Sequence, residues 1–224
     1  MRNFNEKPNA GEGINDFIQK NRKPIFVSLG LIVLLLAGCV AGLSIMDLLR
    51  KKAISAAEEL NSRYEAVRFT ITEESSAADL EALLDDLTVF AKKTSGYAGG
   101  KAWSIIAGIR SDKKEWADAE AAWTAAASAA PKTYLAPIAW FNAGVAAEEQ
   151  GKNEEAVGHY TKSLSLSAAF PAAPRAQFSI GRLKESLNDK AAAIEAYRAV
   201  VSGWPYDTVW TNLAHSRIIV LDAK

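Results

Sequence analysis

One cysteine and two histidines stand in the whole chain, at Cys39, His159 and His215. A lone thiol closes no intramolecular disulfide, so the fold has to be held by packing rather than by crosslinks. The histidines and the cysteine make no cluster at metal-ligand spacing, and no serine, histidine and acid fall into a nucleophile motif. The chain therefore reads as a non-enzyme with no cofactor and no metal. An excess of charge of one sign is missing too: 26 Lys+Arg meet 26 Asp+Glu, which gives no basic surplus for a nucleic acid. Paired acids such as Glu58-Glu59, Asp85-Asp86, Glu148-Glu149 and Glu154-Glu155 do not supply the missing chemistry. Adjacent residues on a helix point about 100° apart, so these pairs read as solvated faces.

Charge is also absent from Pro24 to Met46, and what fills those 23 positions is apolar. About 20 such residues carry a helix across a bilayer. Thirteen of the 23 are Leu, Ile, Val or Phe. At roughly −0.3 to −0.6 kcal/mol each, they outweigh Ser28, Ser44 and the glycines by several kcal/mol on an insertion scale. The expectation is a membrane helix over 24–46, reached through a polar lead, 1–23, that is disordered up to Ile14 and then turns through Ile14, Phe17 and Ile18. Gly38 and Gly42 form a G-x-x-x-G pair through which another membrane helix can approach. Leu36-Ala37-Gly38-Cys39 also resembles a bacterial lipobox, which would make Cys39 a lipidation site. The apolar residues Val40 to Met46 that follow favour an uncleaved helix over that alternative.

Five basic residues precede the span (Arg2, Lys7, Lys20, Arg22, Lys23) and five follow it (Arg50, Lys51, Lys52, Arg63, Arg68). The count ties. Lys20, Arg22 and Lys23 lie beside the span on the short side, and a long following domain is exported largely regardless of its charge. The expected topology is a cytoplasmic amino terminus in the inner membrane and a periplasmic or extracytoplasmic remainder.

Beyond the span every signal is helical. Leu48, Leu49, Ile54, Ala57, Leu60, Tyr64 and Val67 keep one apolar stripe, and a second helix runs from an N-cap at Ser75 or Ser76 to about Lys93 with Leu80, Leu83, Leu84, Leu87 and Phe90 at helical intervals. From Gly99 a repeat takes over. Ala119, Ala156 and Ala193 stand 37 apart, each followed four positions later by Trp123, Tyr160 or Tyr197. Twelve positions before each alanine lie Ala107, Gly144 and Gly181; sixteen before lie Trp103, Trp140 and Gln177; twelve after lie Pro131, Ala168 and Pro205. Polar turns recur at 111–114, 150–153 and 187–190. The small residues let two helices touch, and the aromatics are expected to fill the space against the next pair.

This grid resembles the tetratricopeptide repeat (TPR), with its W-x2-L-G, A-x3-F and P positions. The 37-residue period exceeds the usual 34, and the surplus is placed in the turns at 132–137 and 170–174. Gln177 departs from the pattern where a large apolar residue is usual, so repeat three should pack less tightly at its start. The resemblance implies an all-α fold: one transmembrane helix followed by a TPR-type helical-hairpin solenoid. The segments are a lead at 1–23, the span at 24–46, a stalk and degenerate repeat at 47–98, three repeats at 99–207 and a capping helix at 208–224. In that cap Val209, Leu213, Ile218 and Leu221 would cover the last open face.

The resemblance further implies a groove for a protein or peptide, lined by the first helix of each repeat. Carried over, its positions are Lys101, Ser104, Gly108 and Ser111, then Ile138, Phe141, Val145 and Glu148, then Arg175, Phe178, Arg182 and Glu185. Phe141, Val145 and Phe178 would be its apolar centre and Lys101, Arg175 and Arg182 its basic rim, unless the phenylalanines are ordinary core. Ser104 and Gly108 do not match the chaperone-binding carboxylate clamp. In architecture the chain is similar to the ancillary subunit of the bacterial SecYEG translocon, which implies a membrane scaffold meeting a translocon-like partner or periplasmic chaperones. An envelope-assembly lipoprotein and a self-associating homo-oligomer are the competing expectations.

Overall fold

The computed structural model describes residues 10–69 and 75–223, and among them every regular element is an α-helix. They form two compact units, residues 1–52 and 53–224.

The first unit is built from α1 (Ala10–Phe69) up to Lys52. Its helix breaks once, at Asn21 (φ −108°, ψ 15°), three residues before Pro24. Proline has no N–H to give the carbonyl four residues back and its ring crowds that carbonyl, so the irregularity falls in the turn before it. The Asn21 amide donates instead to the Phe17 carbonyl, at 2.9 Å. Helix is already in place at Ala10, whereas the sequence pointed to an irregular lead up to Ile14; residues 1–9 lie outside the described ones. Ile14, Phe17 and Ile18 are exposed, as is the apolar run from Phe26 to Met46, with Phe26 and Leu34 each 70% accessible. The hydroxyls of Ser28 and Ser44 donate to the Ile25 and Val40 carbonyls, each at 2.9 Å, and so find partners inside the helix.

In the second unit the last turns of α1 pack with α2 (Ser75–Lys93) and α3 (Gly96–Asp112). Leu60 and Tyr64 meet Leu83, Leu84 and Leu87 of α2 and Ile105 and Ile106 of α3 in one apolar cluster. The stripe expected from Leu48 therefore begins later: Leu48 and Leu49 are exposed, Ile54 is half-buried, and Ala57 and Leu60 are buried. The cap expected at Ser75 or Ser76 concerns side chains outside the described ones.

Three hairpins follow: α3 with α4 (Trp116–Ala129), α5 (Leu135–Glu149) with α6 (Asn153–Leu166), and α7 (Ala173–Ser186) with α8 (Lys190–Gly203), closed by α9 (Thr208–Asp222). Each helix packs on the next, and α3 also reaches α5 while α7 reaches α9. The first helices of the pairs thereby share one layer. The first repeat helix starts at Gly96, three residues ahead of the sequence boundary at Gly99.

The turn inside each hairpin is the same device. Lys114 (φ 60°), Gly151 (φ 74°) and Asn188 (φ 60°), spaced by the repeat period, all take the left-handed conformation. The next N–H, of Glu115, Lys152 or Asp189, then closes on the carbonyl of Arg110, Ala147 or Lys184 at 2.9–3.0 Å. This satisfies a helix-end carbonyl and turns the chain back.

Inside each pair the aromatic of the second helix lies on the small residue of the first. A Cβ at Gly144 would meet the Tyr160 ring at 2.7 Å, and one at Gly181 the Tyr197 ring at 2.6 Å. The sequence reading put these rings against the next pair; they seat first on their own. The reason is reach, because the ring hydroxyl finds its acceptor one turn further along the same first helix.

Candidate functional site: the face of the first helices

That acceptor recurs with the repeat. Trp123 Nε1 donates to Ser111 Oγ (3.3 Å), Tyr160 to Glu148 (3.1 Å) and Tyr197 to Glu185 (3.1 Å), always twelve residues back. Burial first, and then the neighbouring carboxylate charge, raise both phenols, Tyr197 to about 12, so both stay protonated donors at neutral pH. Each glutamate also takes an arginine from the following repeat: Arg182 on Glu148, and Arg217 of α9 on Glu185 through both Nε and a terminal nitrogen. A tyrosine, a glutamate and an arginine thus tie the second repeat to the third, and the third to α9, on the layer of first helices.

Most of the residues expected to line a groove lie on this layer, with two corrections. Phe141 is 6% exposed, tilted against Tyr160 (5.5 Å between ring centres) and Phe170 (6.1 Å); it is core, because α6 and the turn before α7 close over it. Phe178 is half-buried between Tyr197 (5.1 Å) and Trp210 (5.4 Å), while Ile138 and Val145 are half-buried at the edge of the same cluster as Phe141. The second correction concerns charge. Lys101 sits on Glu58 at 2.5 Å, Arg182 on Glu148, and Arg175 over the Phe141 ring at 5.4 Å. The expected basic rim is spent on internal partners.

Open grooves lie along this layer among the described residues. One, of about 480 Å³, is lined by Phe178, Arg182, Glu185, Tyr197 and Arg217. Another, of about 290 Å³, is lined by Lys101, Ser104 and Gly108 together with Tyr64, Tyr97 and Tyr134. Tyr97 and Tyr134 occupy equivalent repeat positions; their rings stand 6.0 Å apart at 44° and their hydroxyls share a 3.4 Å hydrogen bond. That bond first, then burial, pushes Tyr97 up to about 12. Neither tyrosine was singled out from the sequence, although extending the 37-residue grid back from Tyr134 would have found Tyr97.

Gly38 and Gly42, expected to meet another membrane helix, have nothing within 4 Å of where a Cβ would stand, and Cys39 is exposed. At the far end the cap differs from expectation. Trp210, Ala214, Ile218 and Leu221 face the core, but Val209 (63%) and Leu213 (44%) are exposed. They sit one residue, about 100°, off the inward stripe.

Part of the array is similar to known repeat proteins. The tetratricopeptide repeat profile matches residues 111–168 and 164–208. A TPR repeat-containing protein of Treponema pallidum (strain Nichols) is 37% identical over 126 residues, 56% of this chain. The chain spans about half, 52%, of that relative's length. Among solved structures, nearly identical TPR-like repeats from Podosopora anserina superpose with a TM-score of 0.51 at 12% identity, covering 75% of this chain and 96% of that one. A single-substitution variant of the same repeats gives 0.54 at 10% identity, covering 74% and 85%. These two likenesses are of fold.

Proposed function

We propose, from the match to the tetratricopeptide repeat over residues 111–168 and 164–208, that the protein is a membrane-anchored scaffold binding a protein or peptide partner on the layer of α3, α5, α7 and α9. TPR arrays are interaction surfaces. The observation that carries the anchor is the run from 24 to 46, apolar all round and, from Phe26 on, exposed all round, with both serine hydroxyls satisfied within the helix. Water is a poor solvent for such a surface and hydrocarbon a good one. We place the amino terminus in the cytoplasm and the array outside the inner membrane, in a role accessory to protein translocation or to periplasmic chaperones, with Gly38 and Gly42 free to meet a second membrane helix.

The test is protease access in sealed spheroplasts, followed by crosslinking. Digestion of the array with the amino-terminal lead protected is the expected outcome, and survival of the array overturns the topology. Crosslinked membrane fractions should then hold a partner that is lost in Phe178→Ala with Arg182→Glu; recovery of homodimers alone would replace the scaffold with a self-associating protein.

A further inference from the structure

We propose that the tyrosine-lined groove at the start of the array takes an uncharged, proline-containing segment of a partner protein in the extended polyproline II form. This rests on the protein-binding reading above and names what one end of that face recognises.

The groove has aromatic walls and an open floor. Tyr97 and Tyr134 supply two ring faces 6.0 Å apart, Tyr134 being 65% exposed, and Tyr64 faces the same space. The floor is Gly108, with nothing within 4 Å of where a Cβ would stand. Asn61 joins the tyrosine hydroxyls as a polar group in the lining, while the Ser104 hydroxyl donates to the Gly100 carbonyl at 2.8 Å. A polyproline II strand has no internal hydrogen bonds, so its carbonyls are free to accept from such donors, and its flat rings stack on aromatic faces.

Charge decides against the other candidates. Lys101 is the charged residue of the lining, and Glu58 neutralises it at 2.5 Å. An acidic peptide or a terminal carboxylate would have to break that pair, and a basic segment would meet the lysine itself. A neutral segment meets neither cost. Size points the same way: an amphipathic helix engages through anchors spread over two turns, and a groove of about 290 Å³ holds little more than the first of them. A segment already held in polyproline II loses little freedom on docking, so a small groove suffices.

The experiment uses the full chain in detergent micelles and a fluorescein-labelled ten-residue peptide of proline, alanine and leucine, read by anisotropy. Controls are the same peptide with alanine for proline and one carrying two aspartates. The proline peptide should bind at least about tenfold more tightly than either. Gly108→Leu, which projects into open space, and Tyr134→Ala, at an exposed position, should each weaken it about tenfold without unfolding the array, Gly108→Leu melting no lower than the parent, while Tyr206→Ala at the far end changes nothing. Equal binding of the proline and alanine peptides, preference for the aspartate peptide, or normal binding by Gly108→Leu overturns the proposal. Partner capture that survives Gly108→Leu but not Phe178→Ala with Arg182→Glu removes this inference and keeps the scaffold; capture that survives both removes the binding face itself.

Discussion

Tyr160 donates its phenol proton to Glu148 across 3.1 Å, and the ring that makes this reach lies directly on Gly144. The two contacts depend on each other. A side chain at 144 would lift the ring, and a lifted ring would leave Glu148 with Arg182 alone. Tyr197, Gly181, Glu185 and Arg217 repeat the arrangement one period on.

Gly144→Ala puts a methyl 2.7 Å from the Tyr160 ring carbons, in a cluster with no slack. Overpacking of this kind costs about 1–3 kcal/mol, to be read as a lower denaturant midpoint at unchanged slope. Gly108→Ala is the control: nothing lies within 4 Å there, so alanine's better helix propensity should raise stability by up to about 1 kcal/mol. A neutral Gly144→Ala would mean the ring can move away freely.

Lys114 carries a left-handed backbone at φ 60°, where the equivalent position of the next repeat has Gly151. A side chain pays about 1–2 kcal/mol for that conformation. Lys114→Gly should therefore stabilise the array by roughly 1 kcal/mol, less what glycine adds to the freedom of the unfolded chain, and Gly151→Ala should destabilise it by a similar amount. Thermal melts of the two variants moving in the same direction would contradict this account of the turns.

Gln177 stands where repeats one and two carry Trp103 and Trp140. A groove of about 510 Å³ opens beside it, between α6, α7 and α8. Gln177→Trp gives up a 3.3 Å hydrogen bond to the Ala196 carbonyl and buries an indole in its place. The balance is about 1–2 kcal/mol in favour of the variant, seen as a melting temperature several degrees higher. A lower one would show that the groove cannot admit the ring.

The folded pKa of Tyr197 is raised to about 12, by burial first and then by the Glu185 charge, against about 10 in an unfolded chain. A raised pKa contributes stability that is complete below the unfolded value and is lost as pH climbs through the folded one. Unfolding free energy should thus hold level up to about pH 10 and fall from there toward 12. Denaturant titrations at pH 8, 10 and 11 check it, and Tyr197→Phe should flatten part of the decline.

The groove residues show how far spacing carries. Ser104, Gly108, Phe178, Arg182 and Glu185 were located from the repeat grid and do line open grooves. Phe141 fitted the same grid and is core, because its exposure depends on Phe170, a turn residue outside the motif, folding over it. Tyr64 was placed in a helical stripe, yet its part in a groove required α1, α3 and the turn before α5 to meet.

By itself the sequence determined the helical class, the 37-residue unit and the turn positions. All of these are local, set by offsets of a few turns along one hairpin. Only the tertiary structure decided which cation meets which acid and which apolar residue is left open. Glu148 with Arg182, Glu185 with Arg217 and Lys101 with Glu58 join different hairpins. Such pairs follow from how far one hairpin is rotated on the next, and a rotation of one residue, about 100°, is what leaves Val209 and Leu213 outside while Trp210 and Ala214 pack within.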